Sequence, residues 1–339
     1  MIRETLEYVS QGLDMTENHA FRVMNQIMEG EWTSAQIAAF LMAMKIKGET
    51  VNELVGFVTA MRNRAVKIAA PEDAVDTCGT GGDGKHSFNV STAAAVAAAA
   101  AGVTVAKHGN RSVSSKTGSA DVLQQLGVKI DLTPQQAQEC LHQVGLAFLF
   151  APVYHASMKH AVAPRREMGV RTLFNLLGPL SNPAMTRRQV VGAFSHEAAD
   201  KMVKVLKNTG SEHVLAVYSR DGMDELSVSS ETLVFELKDG EVRRREIKPE
   251  QFGIKRASVS EIKGDDAPTN AEMMKRVFCG AAADITALNA GAAIYVSGKV
   301  ASLEEGVEAA RAVLASGAVL AKLEQLVQFT HSVEERSAA

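Results

Sequence analysis

The segment from Asp76 to Ser119 constrains this chain more than any other part of its 339 residues. It contains the glycine-rich run GTGGDG, the hydroxyl-rich run NVST, a run of alanines and the basic run KHGNRSVSSK, in that order. Backbone N–H groups of glycine loops, the first turns of helices and cationic side chains all bind phosphate oxygens. Three such elements within the length of one strand–helix–strand unit predict a ligand with more than one phosphate group.

The glycine run matches two nucleotide-binding patterns by its letters, but its context fits neither. From Gly79 onward it satisfies G-x-G-x-x-G, yet residues 102–107, about 20 positions on, lack the acidic residue that reads a ribose. It also satisfies the first seven positions of a Walker A loop, yet His86 stands where a magnesium-binding Ser or Thr belongs. We therefore predict that neither NAD nor ATP is the ligand. A plain turn between strand and helix is the alternative for the glycines alone.

A helix with a free amino-terminal end is predicted after the glycine run. Ala93–Ala101 is nearly all alanine, the best helix former, and Ser91 or Thr92 is expected to be the N-cap. The unpaired N–H groups and the positive dipole end of such a helix favour a phosphate. A capped, buried helix without a ligand is the alternative.

The basic run follows Gly102–Ala106, which reads as a buried strand. A loop that leaves the carboxyl end of a strand lies where open α/β sheets bind their ligands. Its lysines, arginine and serines suit a phosphorylated substrate, although a basic loop is also compatible with simple solvation.

Two further groups suggest chemistry. Asp224 and Glu225 are adjacent carboxylates after a predicted strand, and their repulsion favours a bound cation, for which magnesium suits hard oxygen ligands. A solvated acidic turn is the alternative.

Arg165 follows Pro164 in a partly apolar segment, and a guanidinium pairs bidentately with a carboxylate. An arginine–glutamate ion pair on a helix, through Glu167 or a neighbour, is the alternative.

Composition excludes several classes of protein. The net charge of −3 gives no bulk attraction to nucleic acid or to membranes, so neither is expected as a partner. The three cysteines lack the spacing of metal ligands. We predict that Cys78, Cys140 and Cys279 are reduced thiols of a cytoplasmic protein. We expect no signal peptide before the first predicted helix.

The hydrophobic pattern changes near residue 70. Residues 1–70 read as helical, with capping boxes at Thr33–Gln36 and Thr50–Glu53. Strands and helices then alternate, and Asp239-Gly240 predicts a hairpin turn. The predicted strands are Val128–Asp131, Leu146–Phe150, Gln189–Phe194, Val214–Tyr218, Leu233–Leu237 and Glu241–Ile247, and the last predicted helices are Ile285–Tyr295 and Leu303–Val327.

The three runs, in this order and spacing, closely resemble the anthranilate phosphoribosyltransferase family. The resemblance continues through PVYHASMKHAVAPRREMGVRTLFNLLGPLSNP and DGMDELS and covers nearly the whole chain, with Ala156 as a small departure where proline is expected. It implies an α/β fold class: a small all-helical domain, 1–70, to which part of 159–183 returns, and a large α/β domain, 71–339. The large domain is expected to hold a central mixed, mostly parallel sheet flanked by helices. Homodimers through the helical domain are implied as well.

The same resemblance implies the reaction and its residues. The phosphoribosyl group of phosphoribosyl pyrophosphate (PRPP) passes to the amine of anthranilate, giving N-(5-phosphoribosyl)anthranilate and pyrophosphate in tryptophan biosynthesis, with about two Mg²⁺ ions. Ser91, Asp224 and Glu225 are the implied metal ligands, and His108 is a possible acid or base. Anthranilate is expected at Gly79, Asn110 and Arg165. PRPP is expected at Gly79, Gly82, Asp83, Ser87, Asn89, Val90, Ser91, Thr92, Lys107, His108, Gly109, Asn110, Arg111, Ser112, Val113, Ser114, Ser115 and Ser119.

Two other functions remain open at this point. A pyrimidine nucleoside phosphorylase resembles this family in fold and glycine loop, but its chains are longer and lack a match to KHGNRSVSSK. A non-catalytic regulatory protein that binds a phosphorylated ligand is the second, and the retained Asp224-Glu225 pair argues against it.

Overall fold

The computed structural model describes residues 2–85, 87–112, 117–278 and 283–338. Its strands are β1 (Val75–Gly79), β2 (Val105–Gly109), β3 (Leu146–Phe150), β4 (Arg188–Gly192), β5 (His213–Ser219), β6 (Thr232–Lys238) and β7 (Glu241–Ile247). Its helices are α1 (Ile2–Ser10), α2 (Glu17–Glu29), α3 (Ser34–Lys47), α4 (Val51–Arg64), α5 (Val90–Ala100), α6 (Ser119–Gln125), α7 (Pro134–Val144), α8 (Ala151–Tyr154), α9 (Lys159–Met168), α10 (Phe174–Leu177), α11 (His196–Asn208), α12 (Ala267–Phe278), α13 (Asp284–Val296), α14 (Leu303–Ala315) and α15 (Ala318–Ala338).

The strands form one sheet in the order β3-β2-β1-β4-β5-β6-β7. β1 to β5 run parallel to one another, whereas β6 is antiparallel to both β5 and β7. The predicted fold class, a helical domain with a larger α/β domain around a mixed, mostly parallel sheet, is confirmed. The chain adds β2 and β3 on one side of β1 and then β4 and β5 on the other. The order of strands therefore reverses between β1 and β4, which is where open sheets of this kind bind ligands.

Helices cover both faces of the sheet. One face carries α5, α13, α14 and α15, and the alanines of α5 are buried on all sides of that helix. Small side chains permit this close packing between helix and sheet. The other face carries α11, whose apolar side continues into the core of the amino-terminal helices.

The amino-terminal helices form a bundle of their own. α2 packs on α4 and α1 packs on α3, while α9 comes from far along the chain and contacts both α2 and α3. Aromatic rings fill its centre, with Phe40 edge-on to Phe57 at 6.1 Å and to Trp32 at 5.5 Å between ring centroids. α11 contacts α4 of the bundle as well as β5 and β6, so the bundle and the sheet meet along α11.

Two predicted elements differ in the structure. Residues Val128–Asp131 are not a strand, because the Lys129 N–H donates to Thr330 Oγ1 of α15 instead of to a neighbouring strand. The predicted helix Leu303–Val327 is broken at Gly317, whose φ of 78° suits glycine, and α14 and α15 enclose an angle of 74°.

Within the described ranges, no single helix is long and apolar enough to cross a membrane, although the bent α14–α15 pair passes on length and composition.

The two predicted capping boxes are confirmed, and they differ in burial. Thr33 and Gln36 exchange side-chain and backbone hydrogen bonds at the surface. Glu53 is fully buried and accepts from the Met15 N–H at 2.9 Å and from Lys47 Nζ at 3.0 Å, as well as from Thr50. Glu53 thus joins three segments of the bundle through a buried ion pair.

We expect Glu53→Ala to lower the free energy of unfolding by about 3 kcal/mol, because the substitution leaves the Met15 N–H without its acceptor and removes the buried one of the two carboxylates that pair with Lys47. Gln36→Ala is the matched control and should cost about 1 kcal/mol, since water replaces its lost bonds. Denaturant titration followed by the fluorescence of the single tryptophan, Trp32, measures both. Equal losses would show that burial adds nothing at Glu53.

Candidate active site

Three carboxylates meet where the strand order reverses. Asp83 of the glycine run, Asp224 and Glu225 each place an oxygen within 4.8 Å of the others. The loop that carries Asp224 crosses the ends of β1 and β4 at Gly79 and Gly192. A Cβ at Gly192 would lie 1.5 Å from the Asp224 carbonyl oxygen, and one at Gly79 would lie 2.5 Å from Asp224 Oδ2. Only glycine permits this approach.

The electrostatics of this cluster suit a cation. Burial raises the pKa of Asp224 to about 6, and the nearby Asp83 adds to the shift. Burial and the neighbouring Asp224 raise the pKa of Glu225 well above its usual range. Asp83 Oδ2 and Glu225 Oε2 are buried and have no hydrogen-bond partner among the described residues. Hard oxygen donors that lack partners fit Mg²⁺.

Asp83 was predicted at the PRPP site, and the structure adds it to the acidic cluster. The sequence signal was its position inside a glycine run that otherwise attracts phosphate. The loop also donates to the cluster, because the Gly81 N–H lies 2.8 Å from Asp224 Oδ2. The glycine run and the acidic pair therefore form one unit although 143 positions separate these two residues.

The predicted metal ligand Ser91 lines the same small cavity as Asp224 and Glu225. It stands in the first turn of α5, whose N-cap is Asn89, so the expectation of Ser91 or Thr92 as N-cap is wrong. Asn89 makes no side-chain capping bond and instead accepts from Asn270 Nδ2 at 3.0 Å. The helix starts two residues early, which leaves the Ser91 hydroxyl facing the cavity.

The next predicted residues, Lys107 and His108, belong to β2 and not to a loop, because this strand runs to Gly109. Lys107 is buried, and its Nζ donates to the Thr77 carbonyl oxygen and lies 3.4 Å from Ser91 Oγ. Burial lowers the pKa of Lys107, whereas the carboxylate of Asp76 opposes that shift. A charged residue fits this strand because its amine meets polar partners at the strand ends.

Sequence reasoning missed Asp76. Its carboxylate is fully buried and accepts from the His108 N–H at 3.1 Å and from Gln189 Nε2 at 3.4 Å. Burial raises the pKa of Asp76 to about 6. A lone acid in a buried strand before a glycine run was the available signal, and its role is to join β1 to its two neighbours.

His108 faces a second histidine that the sequence did not single out. The rings of His108 and His155 lie 5.2 Å apart. Burial, and then the neighbouring His155, lowers the pKa of His108 to about 3, and burial also lowers that of His155. Nε2 of His108 is buried without a hydrogen-bond partner in the described part of the chain. A neutral ring with a free nitrogen suits orienting a ligand better than accepting its proton.

The basic run is described only in part, since Val113, Ser114, Ser115 and Lys116 lie outside the described residues. Arg111 forms an ion pair with Asp121 at 2.6 Å and also donates to Gln124. Ser119 Oγ donates to the Asn110 carbonyl oxygen at 3.3 Å. These contacts hold the start of the run against α6. Gly109 and Ser112 adjoin this loop, and Ser87 pairs with Lys263 in an isolated bridge.

Arg165 projects from α9, part of the wall that the bundle contributes. Its guanidinium lies 5.0 Å from the centre of the Phe174 ring, and burial lowers its pKa. Within the described ranges, no ion pair joins Arg165 to Glu167, and no hydrogen bond joins it to Asn110 or Gly79. Among the described residues, therefore, no carboxylate pairs with the guanidinium, and no hydrogen bond joins Arg165 to the other two predicted anthranilate residues.

We expect His108 to lower the stability of the protein as the pH drops from 6.5 towards 5, against the opposite contribution of Asp76 and Asp224, whose raised pKa values favour the folded state at lower pH. The unfolded chain binds a proton there near pH 6.5, whereas the folded chain does so only near pH 3, so protonation favours unfolding. His108→Gln should remove about 2 kcal/mol of the difference in unfolding free energy between pH 7 and pH 5. Denaturant titrations at both pH values measure it. The exposed His142→Gln is the control, and an identical pH dependence in both variants would contradict the assignment.

Comparison with known proteins supports a specific family. Residues 71–320 match the model of the glycosyl transferase family a/b domain, and residues 3–65 match that of its helical bundle domain. Anthranilate phosphoribosyltransferase of Geobacillus kaustophilus is 50% identical over 96% of this chain and 97% of its own. That of Thioalkalivibrio sulfidiphilus is 51% identical over 98% of this chain and 99% of its own.

Comparison with solved structures supports the same family. The crystal structure of anthranilate phosphoribosyltransferase from Thermus thermophilus is 41% identical, with a TM-score of 0.91 over 96% of this chain and 99% of that one. The Saccharomyces cerevisiae enzyme, solved in complex with PRPP and Mg, has the same fold at 23% identity, with a TM-score of 0.88 over 97% of this chain and 98% of that one. This chain belongs to the anthranilate phosphoribosyltransferase family.

Proposed function

We propose that this chain transfers the phosphoribosyl group of PRPP to the amine of anthranilate and releases pyrophosphate, a step of tryptophan biosynthesis. The observation that carries the proposal is the cluster of Asp83, Asp224 and Glu225 beneath the glycine run, at the point where the strand order reverses. The relatives at about half identity bear this activity in their names.

We also propose a cytoplasmic location, where free thiols stay reduced. Cys78 and Cys140 are free cysteines, in keeping with the prediction of reduced thiols. Cys279 lies outside the described residues.

The PRPP site in this proposal consists of the glycine run, the first turn of α5 and the basic run after β2. The positive end of the α5 dipole favours phosphate oxygens, and Lys107 supplies a buried positive charge close to the start of this helix. We assign PRPP to the residues that the family resemblance implies. Asp83 acts within this site through a cation, because its carboxylate alone repels phosphate.

Asp83, Asp224, Glu225 and Ser91 are the proposed magnesium ligands, with about two ions per site. When bound, Mg²⁺ neutralises the negative charge that develops on the departing pyrophosphate. The protein's part is to hold the carboxylates at fixed spacing. Gly79 and Gly192 allow Asp224 to approach the strand ends, and Asn289 fixes the same loop through hydrogen bonds to both the N–H and the carbonyl of Leu226.

The attacking group needs little activation. An aromatic amine is almost unprotonated at neutral pH, so it attacks C1 of the ribose without a strong base. His108 is neutral and orients the substrate, while positioning and electrostatic stabilisation supply most of the rate. Arg165 is proposed to bind the anthranilate carboxylate, together with Asn110 and Gly79, from the side of the bundle.

We propose that the domains divide at residue 70, with α9 and α10 returning to the helical bundle. The packing of α9 on α2 and α3 and of α10 on α4 supports this division. The substrates then meet between the two domains, with PRPP on the α/β side and anthranilate on the bundle side.

The deciding experiment mixes the protein with Mg²⁺, PRPP and anthranilate and follows the loss of anthranilate fluorescence. Turnover that requires all three components supports the proposal. Phosphorolysis of thymidine or uridine in its place would identify a nucleoside phosphorylase, and binding without turnover would identify a regulatory protein. ATP and NAD should not replace PRPP, since the glycine run lacks the features that read them.

We expect Asp224→Asn combined with Glu225→Gln to abolish most turnover while leaving thermal stability unchanged or slightly raised. Removing charge relieves the cost of burying neighbouring carboxylates, but it also removes ligands of the cation. Excess Mg²⁺ should restore little activity. The matched control neutralises an exposed acidic pair, Glu72→Gln with Asp73→Asn, and should keep full activity. Turnover of the first variant within a few-fold of wild type would reduce the pair to a solvated turn.

We expect Arg165→Ala to raise the KM for anthranilate at least tenfold and that for PRPP far less, because a charged hydrogen-bond partner of the carboxylate is lost, at about 2 kcal/mol. Steady-state kinetics with each substrate varied in turn measure the two effects. Arg166→Ala, an exposed neighbour on the same helix, is the control. Equal increases in both KM values would indicate a structural arginine.

We propose that two copies associate through the helical domain. α3 and α9 pack together and expose Met42 (38%), Ile46 (79%) and Val162 (53%), which are apolar side chains that a partner surface would cover. Ile46→Glu should convert a dimer into a monomer in light scattering after size exclusion. Val66→Glu, an exposed valine outside this face, should stay dimeric. A monomeric wild-type protein would rule the proposal out.

A further inference from the structure

Arg171 lies between the two parts of the molecule and has no role in the site described so far. It follows α9, whose C-cap Gly169 has a φ of 61° and lets the chain turn back. Its carbonyl oxygen accepts a hydrogen bond from Lys45 Nζ of α3 at 2.9 Å. The backbone of Arg171 is therefore tied to the helical bundle.

The side chain of Arg171 reaches the α/β domain. Its NH2 donates to the carbonyl oxygen of Gly82 at 2.8 Å, across 89 positions of sequence. The guanidinium also stacks on the ring of Phe194, with 4.1 Å between Cζ and the ring centre. Phe194 follows the end of β4, where Gly192 contacts Asp224. Arg171 thus contacts two segments that border the acidic cluster.

The glycine run needs such an anchor. Gly81 and Gly82 have φ values of 62° and 69°, in a region that favours glycine, and glycines lose much conformational freedom when a loop is ordered. In a planar trans peptide the Gly82 carbonyl and the Asp83 N–H point in opposite directions. Holding this carbonyl fixes the plane of the peptide and the direction in which Asp83 leaves it.

We propose that Arg171 is a positioning residue, which anchors the Gly82–Asp83 peptide and thereby holds the glycine run and the Asp83 carboxylate in place for the magnesium complex of PRPP. Its charge faces a backbone carbonyl and an aromatic ring. Because Lys45 holds the same residue from the bundle, the anchor also couples the glycine run to the domain that carries Arg165. The kinetic part of this inference rests on the proposed function.

The test compares Arg171→Met, Arg171→Lys and the control Arg166→Met. Methionine keeps an unbranched chain over Phe194 but cannot donate, whereas lysine keeps a charged donor. Hydrogen exchange of the amides in segment 80–85 is measured first, on ligand-free protein. This measurement does not depend on catalytic activity. We expect about tenfold faster exchange in Arg171→Met, as for the loss of one charged hydrogen bond, and a smaller increase in Arg171→Lys.

Kinetics provide the second reading. Arg171→Met should raise the KM for PRPP and the half-saturating Mg²⁺ concentration about tenfold, with less than about threefold change in the KM for anthranilate. The melting temperature should match that of Arg166→Met, since Arg171 is exposed. Wild-type protein that fails to consume anthranilate would remove the proposed function, while the exchange result would still decide on the anchor.

Three results would overturn the anchor. They are exchange in Arg171→Met no faster than in Arg166→Met, equal increases in the KM values for both substrates, or an Arg171→Lys variant no better protected than Arg171→Met. The first shows that the glycine run holds itself, the second indicates a general structural role, and the third excludes the hydrogen bond as the cause.

Discussion

The passage of the Asp224 loop over the ends of β1 and β4 is the contact on which the rest of the site depends. It brings a backbone carbonyl and a carboxylate so close to two strand ends that Gly79 and Gly192 leave no room for a side chain. The loop then covers the point where the strand order reverses. The glycine run closes on it through the Gly81 N–H, and Ser91 approaches from α5. One steric condition therefore assembles ligands that are remote in sequence.

That assembly concentrates buried negative charge. Asp76, Asp224 and Glu225 lose hydration on folding, and all three have raised pKa values, whereas the buried Lys107 offsets only part of the charge. The cost of burial is recovered only when opposite charge enters. The folded protein therefore favours the binding of a cation together with its anionic ligand, even before either of them is bound.

The helical bundle contributes side chains as well as a packing surface. It presents Arg165 and Arg171 from the segment around α9, and that segment is held by contacts with α2 and α3. The bundle itself depends on buried groups such as Glu53 and the packed ring of Phe40. Rigid packing there fixes the distance between the arginines and the glycine run.

The sequence by itself determined the elements whose signals are local. Both capping boxes, the Asp239-Gly240 hairpin and β3 form as predicted, because a few neighbouring residues supply the hydrogen bonds or the turn geometry that each one needs. The order of the glycine, hydroxyl and basic runs also predicted the family and the α/β class. These features require no knowledge of distant contacts.

Tertiary structure decided what depends on a partner from elsewhere in the chain. Val128–Asp131 has a strand-like sequence but bonds to α15 instead of to another strand, and Lys107 stays in β2 because the Thr77 carbonyl receives its amine. The places of Asp83 in the acidic cluster and of Arg171 against Gly82 were likewise invisible, because each contact joins residues far apart in sequence. A side chain takes up its role only when folding brings its partner within reach, and that distance is a property of the packed molecule.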